Sequence, residues 1–279
     1  MTLKSNQSTV YPADFSFGNE GQIFTQNCDI LLTSKLSAAD LQDISANHML
    51  SDNVIHTVQK MIRNVCGLQD PVLGQNYSFK VVNESFIQVL HDGAIHWVTI
   101  STFGCAKDEV CVLDSMFHGN IKKHVIRQIC SIMNCSKDIL TVRVLPVQQQ
   151  TNGVDCGLFA LAFAQHIAYT SSNPSFVAFD SHMMRKHLLQ SITENNLNDF
   201  PKTKKSVKFC KEKVFSLHCT CRQLWMPLNK FEKNSFRDIV QCNNCEDWFH
   251  GICQGLLENV LKNENLEWSC QDCLVMYSL

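Results

Sequence analysis

The chain has 279 residues, 45% of them hydrophobic and 18% charged, the make-up of a globular protein with room for one enzyme-sized domain and a small module. A formal net charge of −2 gives no reason to expect nucleic acid as the partner, and no apolar run reaches the roughly 18 residues that a membrane span needs. Residues 1–10 lack an apolar signal core, so an intracellular protein is expected.

In chain order, residues 1–30 are polar and mixed and read as an irregular lead-in to a domain over 31–200. From 37 to 66 apolar residues recur at three- and four-residue steps (Leu41, Ile44, Val54, Ile55, Val58, Met61, Ile62), which predicts helix, with an N-cap at Ser51-Asp52. Strands are expected over 85–90, 95–101, 110–113 and 141–145, and helices over 122–133, 158–169 and 183–192. This mixture implies an α/β or α+β enzyme domain. Residues 201–213 carry six lysines and read as part of a solvated linker, 201–215, ahead of a small module at 216–276. A weak nuclear-import or polyanion-contacting segment is the alternative there.

Fifteen cysteines stand out. Seven fall between Cys219 and Cys273 in paired spacings with a histidine among them, the pattern of a metal site. Of the scattered eight, Cys28, Cys66, Cys105, Cys111, Cys130, Cys135 and Cys210 read as small buried hydrophobes. Cys156 is different. It follows the turn signal Asn152-Gly153 and opens the apolar helix, and a helix N-terminus stabilises anions, which suits a nucleophilic thiol. An inert buried cysteine is the competing reading.

A cysteine nucleophile needs a base, a group to orient the base, and donors for an oxyanion. The segments 95–100 and 110–114 flank a turn holding Gly104 and Lys107-Asp108. A hairpin centred on residue 105 would set His96 directly opposite Asp114, within carboxylate–imidazole reach. His91 is a weaker candidate base, since nothing pairs with it in this way. His96-Trp97, Asp114, Gln150 and Cys156-Gly157, in this order, resemble the adenain-like and SUMO-specific (ubiquitin-like-protein-specific) cysteine proteases. Residues 49–55 resemble the family's opening helix, and Phe179-Asp180 with Met184-Arg185 its late helix. The order excludes the papain arrangement, in which cysteine comes first.

The resemblance implies an α+β fold of the adenain-like type, with no cofactor in the peptidase domain. It implies Cys156 as nucleophile, His96 as base, Asp114 as its orienter, and Gln150 with the Cys156 N–H as the oxyanion hole. Trp97 would line a narrow tunnel for a Gly-Gly tail, with a plain core aromatic as its competing role. Met49 stands where the family usually has tryptophan, which weakens the expected preference for that tail.

The C-terminal candidates are Cys219, Cys221, Cys242, Cys245, His250, Cys253, Cys270 and Cys273, four pairs at structural zinc spacing. Histidine in fifth place, and Trp268 two before Cys270, resemble the PHD finger rather than a RING. That resemblance implies cross-braced ligation of two structural zinc ions, one by Cys219, Cys221, His250 and Cys253, the other by Cys242, Cys245, Cys270 and Cys273. It also implies a histone-tail partner, with Trp225, Ile239, Trp248 and His218 at the peptide-binding positions. Residues 217–279 hold eight acidic and five basic side chains, which favours a basic peptide. Packing is the competing role for both tryptophans.

The expected protein is therefore a cysteine peptidase or isopeptidase acting on a ubiquitin-like protein or its conjugates, nuclear, and targeted by a PHD finger. No direct contact with nucleic acid or membrane is expected. Two alternatives stand beside it: a catalytically idle binding protein, and a processing protease of a mobile element or virus.

Overall fold

The computed structural model describes residues 36–134, 139–204, 212–218, 223–224, 239–246, 248–261, 263, 266–270 and 273–274. The lead-in over 1–30 lies outside them. Two serine caps start the fold. Ser37 accepts from the Asp40 N–H while the Asp40 carboxylate accepts from the Ser37 N–H, closing a capping box on α1 (Ala38–Ser45). Ser51 caps α2 (Asp52–Gln59) by accepting from the Val54 N–H, and its hydroxyl donates to Asp40 Oδ1 at 2.6 Å. One carboxylate thus joins the starts of both helices. The expected helical stretch ends at Gln59, and Met61 and Ile62 are buried beyond it.

The remaining elements are β1 (Cys66–Gly67), β2 (Phe86–His91), β3 (Trp97–Ser101), β4 (Glu109–Leu113), α3 (Lys123–Ile132), β5 (Leu140–Val144), α4 (Cys156–Thr170), β6 (Val177–Phe179), α5 (Ser181–Glu194), β7 (Lys202–Lys204), β8 (Lys213–His218), β9 (Gln223–Leu224), β10 (Ile239–Gln241), β11 (Trp248–His250) and α6 (Glu258–Leu261). A mixed sheet runs β1-β2-β3-β4-β5-β8-β9. β1–β2 and β4–β5 are parallel, the rest antiparallel.

Helices cover both faces of this sheet. On one, Val89, Trp97, Cys111 and Leu113 pack with α2, α4 and α5. On the other, Leu90, Val98, Ile100 and Val112 pack with Ile126 and Ile129 of α3. Because β2 and β3 are buried on both sides, they read as nearly continuous apolar runs. α4 is buried from Cys156 to Ile167, which explains a helix that is apolar all round. No helix among the described residues is long and apolar enough to cross a membrane.

The linker expected over 201–215 is corrected at both ends. Lys202–Lys204 pairs with β6, and β8 pairs along its first five residues with β5, from Val144↔Lys213 to Leu140↔Leu217. Alternation decides this: Phe215 and Leu217 turn towards the α3 side, Val214 to solvent. A count of lysines does not register such a two-residue period. The C-terminal module has its own small core of Val240, Phe249, Cys242 and Cys270, with Leu256, Leu261, Leu266 and Trp268 packed on it.

Candidate active site and metal centre

The hairpin β3–β4 carries His96 and Asp114 just outside its paired residues. Its register pairs Thr99 with Leu113, Ile100 with Val112 and Ser101 with Cys111, so its centre is residue 106. The expectation of a centre at 105 is therefore corrected, and continuing the register sets Asp114 opposite Val98. The glycine and Lys107-Asp108 marked the turn but not its middle, where Asp108 takes a left-handed conformation and the Glu109 N–H closes on the Ala106 carbonyl. A shift of partner by two residues keeps both side chains on one face as diagonal neighbours. Imidazole and carboxylate together span the diagonal, and His96 Nε2 lies 2.7 Å from Asp114 Oδ1.

The other ring nitrogen, Nδ1, is left for the Cys156 thiol. Burial works against a charged His96, but the hydrogen bonds and charges of Asp114 and Cys156 outweigh it and raise its pKa to about 9. The same Asp114 oxygen accepts from the Met116 N–H, and the Asp114 carbonyl from Gln149 Nε2, so the carboxylate is itself held. His91, the weaker candidate, packs edge-on to Trp97 with ring centroids 4.6 Å apart, and burial lowers its pKa.

Cys156 is the first residue of α4 and is buried, with Sγ 3.8 Å from the Ile95 carbonyl oxygen. The glycine after it is needed for close approach: a Cβ on Gly157 would stand 3.1 Å from Leu50 Cβ and 3.2 Å from Ile55 Cδ1. Leu50 is also where Trp97 docks, its indole N–H donating to the Leu50 carbonyl at 3.1 Å. The start of α2, the Trp97 ring and the start of α4 therefore meet at one residue. Met49, beside it, is 37% exposed.

The loop before Cys156 is tied at Gln150, Asn152, Val154 and Asp155. The Gln150 N–H donates to the Ser115 carbonyl, and Gln150 Oε1 accepts from the Ser115 hydroxyl at 2.6 Å, so Nε2 is turned the other way, onto the Asn152 carbonyl. Asn152 Oδ1 accepts from the N–H groups of Val154 and Asp155, and its amide donates to Asp155 Oδ2. Arg185 of α5 donates to Asp155 Oδ1 at 2.6 and 3.1 Å, and to the carbonyls of Ile44, Asp43 and Val154. The sequence marks Asn152 only as a turn residue, and it marks neither Ser115, Asp155 nor this role of Arg185. Asn152 and Asp155 lie inside the motif already read, whereas Ser115 and Arg185 reach it only through the fold.

In the C-terminal module the sulfurs of Cys242, Cys245, Cys270 and Cys273 all lie within 4.8 Å of one another. Four thiolates around a tetrahedral zinc at about 2.3 Å stand about 3.8 Å apart, so this cluster fits the ion. The Cys242 thiol is ready for it: burial is outweighed by backbone N–H groups of Cys245, Cys270 and Asn244, which bring its pKa down to about 6. His250 ends β11 and Cys253 sits in a single turn, Ile252–Gln254. Their expected co-ligands Cys219 and Cys221 lie outside the described residues, as do Trp225 and the side chains of His218, Ile239 and Trp248.

Residues 32–200 match the Ulp1 protease family, C-terminal catalytic domain. The chain belongs to this family. Residues 214–279 match the UBR7-like PHD finger, so a Ulp1-type cysteine protease domain of α+β fold precedes a PHD finger, as the motifs implied. Among solved structures, the C-terminal Ulp1 protease domain in complex with Smt3, the yeast ortholog of SUMO, is similar at 14% identity and a TM-score of 0.42, over 57% of this chain and 83% of that one. The Xanthomonas campestris effector XopD bound to ubiquitin is similar at 14% identity and a TM-score of 0.37, over 51% and 91%. Among curated proteins, lysine-specific demethylase 7A of Mus musculus is 33% identical over 61 residues, and a NURF301-like nucleosome-remodeling factor subunit of Caenorhabditis elegans 30% over 57. The match spans only 6% and 2% of their respective lengths.

Proposed function

We propose that the Ulp1-type domain is an active peptidase or isopeptidase that cuts a ubiquitin-like protein precursor or its conjugate. The observation that carries this reading is the His96 imidazole, bonded to Asp114 through Nε2 and interacting with the Cys156 thiol. In the reaction, His96 takes the thiol proton and Cys156 Sγ attacks the carbonyl carbon of the scissile bond. Asp114 holds the Nε2–H tautomer and stabilises the imidazolium that forms. The oxyanion is met by Gln150 Nε2 and by the Cys156 N–H, which stands in the first helical turn, where N–H groups have no acceptor inside the helix. His96 then protonates the leaving amine, and water releases the acyl group by the same base.

The substrate class follows from the family resemblance, and the burial of Trp97 against Leu50 supports a narrow approach for the tail. The PHD finger holds two structural zinc ions, one on the four clustered cysteines and one on Cys219, Cys221, His250 and Cys253, and binds a histone tail, placing the enzyme in the nucleus on chromatin. Its acidic balance and the short matches to a demethylase and a nucleosome-remodeling subunit support that placement.

The test is a probe: a ubiquitin-like protein with a thiol-reactive group at its C-terminus. The natural protein forms an adduct, Cys156→Ser does not, and Cys111→Ser still does. Unchanged labelling of Cys156→Ser overturns the assignment.

A further inference from the structure

Asp92 sits in the turn between β2 and β3, four residues before His96, and takes no part in the chemistry above. Its side chain is 2% exposed. Oδ1 accepts from three successive backbone N–H groups, those of Ala94 at 2.8 Å, Ile95 at 3.0 Å and His96 at 3.0 Å. The Asp92 N–H in turn donates to the His96 carbonyl at 2.8 Å. Oδ2 bonds the ammonium of Lys122, the N-cap residue just before α3. The turn also needs Gly93, which has φ +81° and whose added Cβ would press on the His124 ring at 3.0 Å.

Two of the three backbone groups held by Asp92 belong to residues that touch the thiol. The Ile95 carbonyl lies 3.8 Å from Cys156 Sγ, and His96 interacts with Cys156 through its ring. We infer that Asp92 is a positioning residue for the base: its carboxylate fixes the Ile95–His96 backbone, and so fixes where the imidazole stands between Asp114 and Cys156. This inference rests on the peptidase reading of the site. Lys122 gives the arrangement its second requirement. It neutralises a buried carboxylate that would otherwise compete with Asp114 for the imidazolium charge, and with the N–H groups it keeps the Asp92 carboxyl below its usual range despite burial. A single oxygen gathers three N–H groups only from one distance, so both side-chain length and acceptor matter.

The experiment uses the full chain, a ubiquitin-like protein carrying a fluorogenic C-terminal amide, and the rate at which iodoacetamide alkylates Cys156. Asp92→Ala removes the acceptor, Asp92→Asn keeps an acceptor oxygen in place, and Asp92→Glu keeps the charge for Lys122 but moves the oxygen by roughly 1.5 Å, one carbon–carbon bond. Asp92→Ala and Asp92→Glu should lower kcat by about 10- to 100-fold with KM within about twofold, because misplacement of a base by about 1 Å costs that much. Alkylation should slow in parallel, and Asp92→Asn should stay within about threefold of the natural protein in both measurements. Should Asp92→Ala not fold, Asp92→Glu against Asp92→Asn decides alone. Full kcat in Asp92→Glu, or equal losses in Asp92→Asn and Asp92→Glu, overturns the inference, since the first removes the need for geometry and the second shows that an acceptor oxygen in place does not preserve activity. An unmutated protein that fails to label at Cys156 overturns instead the peptidase reading beneath it.

Discussion

Arg185→Met tests what holds the nucleophile loop. Arg185 and Asp155 are buried together, with side chains 10% and 9% exposed, and two guanidinium nitrogens bond one carboxylate oxygen. Methionine fills much of the same space but leaves Asp155 charged and without that partner, directly before Cys156. Removing one member of a buried ion pair costs about 3–5 kcal/mol. The other carboxylate oxygen keeps its bond from Asn152 at 2.6 Å, which argues for the lower end, about 3 kcal/mol. For a domain of this size that is a fall of about 6–12 °C in melting temperature. Thermal unfolding followed by tryptophan fluorescence measures it. The decisive comparison adds Asp155→Asn, which removes the stranded charge: the double variant should melt above Arg185→Met alone. A fall of less than about 2 °C, or a double variant no better than the single one, would refute the reasoning.

Three further outcomes are expected. His96 has a folded pKa raised from 6.5 to about 9, so its charged form stabilises the fold fully below about pH 6.5, and that contribution is lost as pH rises through about 9. The gap in melting temperature between the natural protein and His96→Gln should therefore shrink from about pH 6 to about pH 10, and a constant gap would contradict this pairing. Elemental analysis should find two zinc ions per chain, falling to one in Cys270→Ser, while cleavage of a small substrate persists after chelation. Met49→Trp should sharpen the preference for a Gly-Gly over an Ala-Gly tail by about 10- to 200-fold in specificity constant, because a rigid ring rejects a methyl group that methionine accommodates. Strict rejection of Ala-Gly by the natural protein would show that another residue already supplies that wall.

What could be read in advance depended on how local its cause was. Ser51 as a cap, the helix opening at Cys156 and the alternation of strands and helices follow from residues within a few positions of one another. The cysteine cluster was legible for the same reason, since pair spacing is itself the ligand geometry. The His96–Asp114 contact came through although its register was misjudged, because a two-residue slip preserves the face. The run Gln148-Gln149-Gln150 shows the limit. Gln148 bonds the Phe179 backbone, Gln149 the Asp114 carbonyl and Gln150 the Ser115 hydroxyl, three tasks for one side chain that only the fold distinguishes. Arg185 and Asp155 lie 30 residues apart, and Asp92 acts through a turn whose shape depends on Lys122 at 30 residues' distance. Such pairs leave no periodic mark.

The strand β8 bears on whether the two modules can be separated. All but its first residue lie within the stretch that matches the PHD finger, yet all but its last residue pair with β5 of the protease sheet. A protease cut after residue 200, where its family match ends, would carry β5 as an open edge, with main-chain donors and acceptors from Leu140 to Val144 left to water or to another molecule. Bare edges of that kind recruit strands from neighbouring chains. Such a fragment should therefore self-associate, whereas one ending beyond His218 would carry its own edge cover and stay single.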